Sequence, residues 1–167
     1  MAKLTKANEY GQLELNQVAF RRDGRIIAQY QLGDVNCAEN GMLLAVDHVN
    51  KTINFPTTND TEGLALNYTT EHMYDPRANA LKDFRLEKNS FLPRLGYIGV
   101  ADKFTTNTVC YDDAAEIGTY KYGKPCSTEG FEGYIELTNT LDGAYVQVLE
   151  ITDMPDGQKA VKFGGLN

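Results

Sequence analysis

The chain has 167 residues, 42% of them apolar, and a formal net charge of −7. That is long enough for one domain with a buried core and apolar enough to exclude wholesale disorder. It is too acidic for a duplex nucleic-acid binder, whose affinity comes from clustered Lys and Arg.

Residues 1–12 are polar and aperiodic. They are expected to form a flexible or partner-anchored N-terminal arm, followed by a single β-rich domain over 13–167. The start, Met1-Ala-Lys-Leu-Thr-Lys6, carries charge with no apolar run behind it, unlike a signal peptide. Leu13 and Leu15 alternate with Glu14 and Asn16 and open a strand that ends at Phe20. Arg21-Arg22-Asp23-Gly24 reads as a turn, because Asp-Gly readily supplies a residue with positive φ, and 25–31 reads as the returning strand. Further strands are expected at 41–46 and 51–55, around a turn at Asp47 to Asn50. At 63–69, Leu64, Leu66 and Tyr68 alternate with Ala65 and Asn67. Residues 74–84 are the one helix candidate: Asp75 can cap, Pro76 suits the first position, and Ala78, Leu81 and Phe84 share a face.

Beyond it, 90–101 and 103–112 read as strands around a turn at Ala101-Asp102. The run from Phe104 to Tyr111 is almost wholly β-branched or aromatic and is the strongest strand pattern in the chain. The stretch 120–125 reads as a strand end or turn. Strands at 131–138 and 144–151 bracket a turn at Leu141-Asp142-Gly143. Met154-Pro-Asp-Gly157 is a type I turn leading into a last strand at 159–163. Fifteen Gly and 5 Pro are scattered throughout, and 10 Tyr and 7 Phe supply strand formers. Short strands with regularly spaced turn signals predict an all-β fold, an antiparallel sandwich or barrel, with at most the one short helix. The longest apolar run, 42–46, is far short of a membrane span.

Candidate chemistry is sparse. His48 and His72 lack the spacing and the Glu of a metalloprotease pair. Cys37, Cys110 and Cys126 are odd in number and have no CxxC spacing, which reads as free thiols in a reducing compartment. A His–Cys couple would need His72 near one of them, whereas Cys110 lies in a strand whose alternation buries it. Asp112, Asp113 and Glu116 form the densest acidic cluster but miss the ligand pattern of a calcium loop, so they read as a solvated loop. Gly96 and Gly99 belong to no phosphate-binding motif. The expectation is therefore no catalytic residues, no metal and no cofactor. The rings of Tyr111, Tyr120, Tyr122 and Tyr134 keep a sugar-stacking surface in play.

Charge is unevenly placed. Acidic residues outnumber basic ones after Asp102, while Arg77, Lys82, Arg85, Lys88 and Arg94 concentrate cations in the middle of the chain. These suit an exposed helix laced with ion pairs. They suit equally an Arg-rich edge that grips an acidic partner, with Arg77, Arg85 and Arg94 as the candidate contacts.

At Leu81-Lys-Asp-Phe-Arg-Leu86, Leu92-Pro-Arg-Leu-Gly-Tyr97 and Asp102-Lys-Phe-Thr-Thr-Asn-Thr-Val109, the chain resembles small proteins encoded beside the major capsid protein of tailed bacteriophages of Gram-positive bacteria, which are taken to be capsid decoration (cement) proteins. The resemblance lies within 60–112. It implies a β-rich, non-enzymatic virion structural protein, made in the host cytoplasm, that binds and stabilises the outer surface of a phage head. The implied partners are the major capsid protein lattice and copies of the chain itself, with no nucleic acid and no membrane. The alternatives are a head–tail connector or tail component, and a carbohydrate-binding β-sandwich module.

Overall fold

The strongest strand pattern in the sequence becomes the frame of the molecule. A computed structural model describes residues 3–57, 63–69, 84–89 and 92–166. Its strands are β1 (Leu4–Lys6), β2 (Leu13–Gln17), β3 (Ile26–Ile27), β4 (Gln31–Leu32), β5 (Cys37–Ala38), β6 (Leu43–Asp47), β7 (Thr52–Asn54) and β8 (Leu64–Asn67). They continue as β9 (Leu86–Glu87), β10 (Leu95–Gly96), β11 (Lys103–Thr106), β12 (Val109–Asp112), β13 (Tyr122–Pro125), β14 (Ile135–Thr138), β15 (Val146–Asp153) and β16 (Lys159–Gly165). The fold is all-β. One sheet has eight strands in the order β1-β12-β14-β13-β15-β16-β11-β2, a second has six in the order β3-β10-β8-β6-β7-β4, and β5-β9 form a ribbon. Pairing is antiparallel except between β12 and β14 and between β4 and β7. Of the expected helix, 74–83 lies outside the described residues.

Only Asn107 and Thr108 separate β11 from β12, so the eight-stranded sheet leaves one half of a single segment and returns to the other. Strands β14, β13, β15 and β16 make that circuit, a barrel-like closure. Its interior is Phe104, Val109, Ile135, Leu137, Val146, Val161 and Phe163, all buried. Phe104 and Phe163 pack with ring centroids 5.5 Å apart. On β13 the interior position is Gly123, where a Cβ would come within 2.5 Å of Ile135 Cγ2 and 2.9 Å of Val146 Cγ2. The small barrel closes only because that side chain is missing.

The six-stranded sheet is buried on both faces at its centre. Leu43 and Leu66 join the barrel core, while Leu44 and Ala65 turn to a second core with Leu32, Val35, Ile53, Leu86 and Leu95. Such strands read as continuous apolar runs, as Leu64-Ala-Leu66 does. The Tyr145 hydroxyl donates to the Leu64 carbonyl at 2.6 Å and ties the two sheets together.

The N-terminal segment differs from the expected arm. Residues 3–17 run antiparallel along 103–112: β1 pairs with β12 and β2 with β11. Between them, Ala7 N–H donates to the Val109 carbonyl at 3.1 Å and Gln12 N–H to Asn107 Oδ1 at 2.7 Å. The physical reason is that the partner strand supplies hydrogen bonds that no local periodicity advertises. Lys6 adds a cation–π contact, its Nζ 4.4 Å from the centre of the Tyr134 ring.

Several turns form where their residues demand. Gly24 and Gly157 take positive φ, and Gly157 N–H closes the last hairpin on the Met154 carbonyl at 2.8 Å. The turn at 21–24 is not a hairpin, however. It hands the chain from β2 in one sheet to β3 in the other. The expected strand 25–31 divides into β3 and β4 because its two ends pair with different strands, β10 and β7. The stretch 120–125, read as a strand end or turn, supplies β13.

Candidate functional site

Two of the three cysteines lie in the core. Cys110 and Cys126 are fully buried in the second core, where their thiols interact. The interaction with Cys110 brings Cys126 down to about 7 against the opposing effect of burial. Cys110 is pushed well above the usual thiol range, first by its interaction with Cys126 and then by burial. Cys37 is half-buried, and burial raises its thiol while Arg85 partly offsets the effect. His48 is held elsewhere. Its Nδ1 lies 2.9 Å from the Tyr30 hydroxyl and its Nε2 3.0 Å from the Tyr97 hydroxyl, so both ring nitrogens are engaged. His72 lies outside the described residues.

The acidic cluster behaves as a loop: Asp112 Oδ1 accepts the Ala114 N–H at 3.0 Å, and a 3-10 turn follows at Ile117–Thr119. Among the described residues, no three His, Cys, Asp or Glu side chains converge as a metal site. Gly96 and Gly99 serve packing. A Cβ on Gly96 would sit 2.5 Å from the Phe20 ring, and one on Gly99 2.5 Å from Arg25.

The most deeply buried carboxylate among the described residues is Asp102, 2% exposed. It accepts from Ala19 N–H at 2.7 Å and Gly99 N–H at 2.8 Å, with Arg25 Nη2 at 3.4 Å. This buried acid pins the exit of β2 to the entry of β11, and every neighbour it holds is backbone or an intrachain guanidinium. Its role is architectural.

The candidate tyrosines do not form an open stacking platform. Tyr134 is buried and donates to Glu39 Oε2 at 3.2 Å. Tyr111 and Tyr120 meet edge to face, centroids 6.4 Å apart, and both pack on the barrel core. Tyr122 is half-buried on β13.

The candidate arginines fare differently. Arg77 lies outside the described residues. Arg85 is exposed at the start of the β9 region, with Glu39 at the ion-pair limit of 3.9 Å. Arg94 is exposed beside β10 and makes no ion pair among the described residues. It lines a cavity of about 470 Å3 together with Ile26, Ile27, Ala28, Gln29 and Tyr30. That cavity runs along β3, the outermost strand of its sheet.

The fold also brings in a cation the charge pattern did not single out. Arg21, read only as part of a turn, lies over the Tyr68 ring with its guanidinium carbon 5.9 Å from the centroid. Tyr68 rests on Phe20 at 4.9 Å, is 7% exposed, and has a buried hydroxyl with no hydrogen-bond partner among the described residues. Burial pushes its phenol up, and Arg21 and Arg94 both oppose that shift. No local signal joins Arg21, Tyr68 and Arg94; only sheet pairing does.

Comparison with known protein families, with curated proteins and with solved structures finds no match.

Proposed function

We propose that the chain is a non-enzymatic virion structural protein that decorates the exterior of a phage head. The observation that carries a binding role is the exposed Arg94, free of ion pairs among the described residues, beside a cavity at an open sheet edge of an otherwise acidic protein. Solvated cations of this kind gain most when a partner's carboxylates desolvate with them. His48 and Asp102 are committed to internal bonds and two of the three thiols are buried, which supports binding over chemistry. The sequence resemblance then selects the partner, a capsid lattice. The barrel-like closure suits the task, since a stiff module loses little order when it binds.

Decoration is distinguished from a connector or tail role by what the protein does for the shell. Heads assembled without this chain should rupture at a lower temperature than complete heads, and added purified protein should restore the difference. Heads whose rupture temperature is indifferent to the protein would contradict decoration and favour a connector or tail position.

A further inference from the structure

The chain contains one Asn-Gly pair, Asn40-Gly41, directly before β6. In such a pair the Gly nitrogen is free to attack the Asn side-chain carbonyl, because the second residue has no side chain to shield it, and Asn is a thermolabile residue for this reason. The fold nevertheless requires both residues. Gly41 has a φ of +90°, and a Cβ there would overlap the Thr106 hydroxyl and stand 2.9 Å from Thr108 Oγ1. Asn40 is 6% exposed, and its Nδ2 donates to the Thr69 carbonyl at 2.9 Å. The same contacts restrain the reaction. Gly41 N–H donates to the Asn67 carbonyl at 2.9 Å, so the attacking nitrogen keeps its hydrogen, while Thr69 holds the nitrogen that would leave. The Asn40 carbonyl accepts the Thr108 hydroxyl at 2.6 Å. Asn67 and Thr69 belong to one sheet and its exit, and Thr108 to the β11–β12 link of the other, so these restraints exist only when the two sheets are assembled.

We propose that Asn40-Gly41 is a modification site that the native fold keeps closed: it deamidates when the chain unfolds, and the product prevents that chain from returning. In the unfolded chain the Gly41 nitrogen gives up its proton and bonds to Asn40 Cγ. The Cγ–Nδ2 bond breaks and ammonia leaves. Water then opens the cyclic imide at either carbonyl, so the residue ends as aspartate or isoaspartate, with water as the one co-reactant and no change of oxidation state. Neither product fits the native site. Aspartate would set a carboxylate against the Thr69 carbonyl, acceptor facing acceptor, where the Asn40 Oδ1 is already buried without a partner among the described residues. Isoaspartate adds a backbone carbon beside Gly41, where Thr106 and Thr108 leave no room. Chemical change in the unfolded chain is one route by which unfolding becomes irreversible. The inference is independent of the decoration reading and holds whatever the protein binds.

The test incubates the full chain at mildly alkaline pH, once in buffer and once in concentrated urea, and follows Asn40 by peptide mapping that separates Asn, Asp and isoaspartate. Conversion in buffer should be slower than in urea by about a thousandfold or more, the scale of a folded-to-unfolded ratio. The fraction that refolds after the urea is removed should fall in step with conversion at Asn40. A parallel sample held in urea at mildly acidic pH, where the Gly41 nitrogen keeps its proton, should refold fully after the same time. Asn40→Asp should refold poorly or melt clearly below wild type. Conversion in buffer within about tenfold of that in urea would show that the fold does not close the site. Refolding that is lost equally at acidic pH, or Asn40→Asp that refolds and melts like wild type, would overturn the claim that the product blocks return.

Discussion

Tyr10 donates its phenolic hydrogen to the carboxylate of Asp156, joining the start of the chain to the tip of its last hairpin. Gln12 Nε2 and Gln158 Nε2 donate to the same carboxylate at 2.6 and 2.7 Å, and Gln158 Oε1 accepts the Glu9 N–H at 2.8 Å. These bonds make the N-terminal segment part of the domain, and they make its attachment sensitive to acid.

The Tyr10 hydrogen bond is the largest of the effects that hold Asp156 well below the usual carboxylate range. A depressed folded-state pKa contributes stability above the unfolded pKa, and that stability is lost as pH falls. Asp156→Ala should therefore melt below wild type at neutral pH. The gap should narrow as the pH drops from about 5 toward about 2. Thermal melts across that range, with hydrogen exchange at residues 9–12, read the effect. A gap independent of pH would show that the carboxylate is not what fastens the segment.

Gly123→Ala should destabilise the barrel by about 1–3 kcal/mol, the usual result of overpacking. The backbone at Gly123 needs no unusual φ, so the effect is steric, from Ile135 and Val146. Urea unfolding measures it, and Gly130→Ala offers no equivalent control because Gly130 takes positive φ. Gly118, with nothing within 4 Å of a built Cβ, should accept Ala with little change.

Tyr68→Phe should hold or raise stability, by up to about 1 kcal/mol, because it removes a buried hydroxyl that has no partner and keeps the ring on Phe20. A clear loss in the melting temperature would mean that the hydroxyl has an acceptor in the free protein.

The buried thiols should be silent toward a bulky thiol reagent in the native state, with Cys37 alone reacting and all three reacting in denaturant. Cys110→Ser should cost about 1–3 kcal/mol by placing a hydroxyl in an apolar core. Partner binding should be unaffected. Fast native labelling of Cys126, or loss of binding without loss of stability, would give the pair a role beyond packing.

The turns were legible because their chemistry is local: Asp23-Gly24, Asp47 to Asn50, and Met154 to Gly157 each carry the residues their geometry requires. The closure of the barrel was not, since Val109 pairing in parallel with Ile135 depends on partners no neighbouring residue announces. Strand β13 was half hidden for a related reason. Gly123 and Pro125 weaken its strand pattern, and Gly123 is there because Ile135 and Val146 leave no room. Ribbon strands of two residues, such as Cys37–Ala38, have no period to detect. Of the candidate site, Arg94 stood out through the density of cations around it. Arg21 and Tyr68 did not, because each looked complete in its own setting, a turn and a strand end, until the sheets placed them together.

The central claim, that this chain coats a phage head and uses its arginine edge to do so, is tested most directly by co-sedimentation with heads assembled without it. Wild-type protein should pellet with the heads and saturate at a fixed ratio to the major capsid protein. Arg94→Glu and Arg85→Glu should weaken that binding and change its salt dependence. Wild-type protein that stays in the supernatant at every concentration, or reversals that bind as tightly as wild type, would contradict the account.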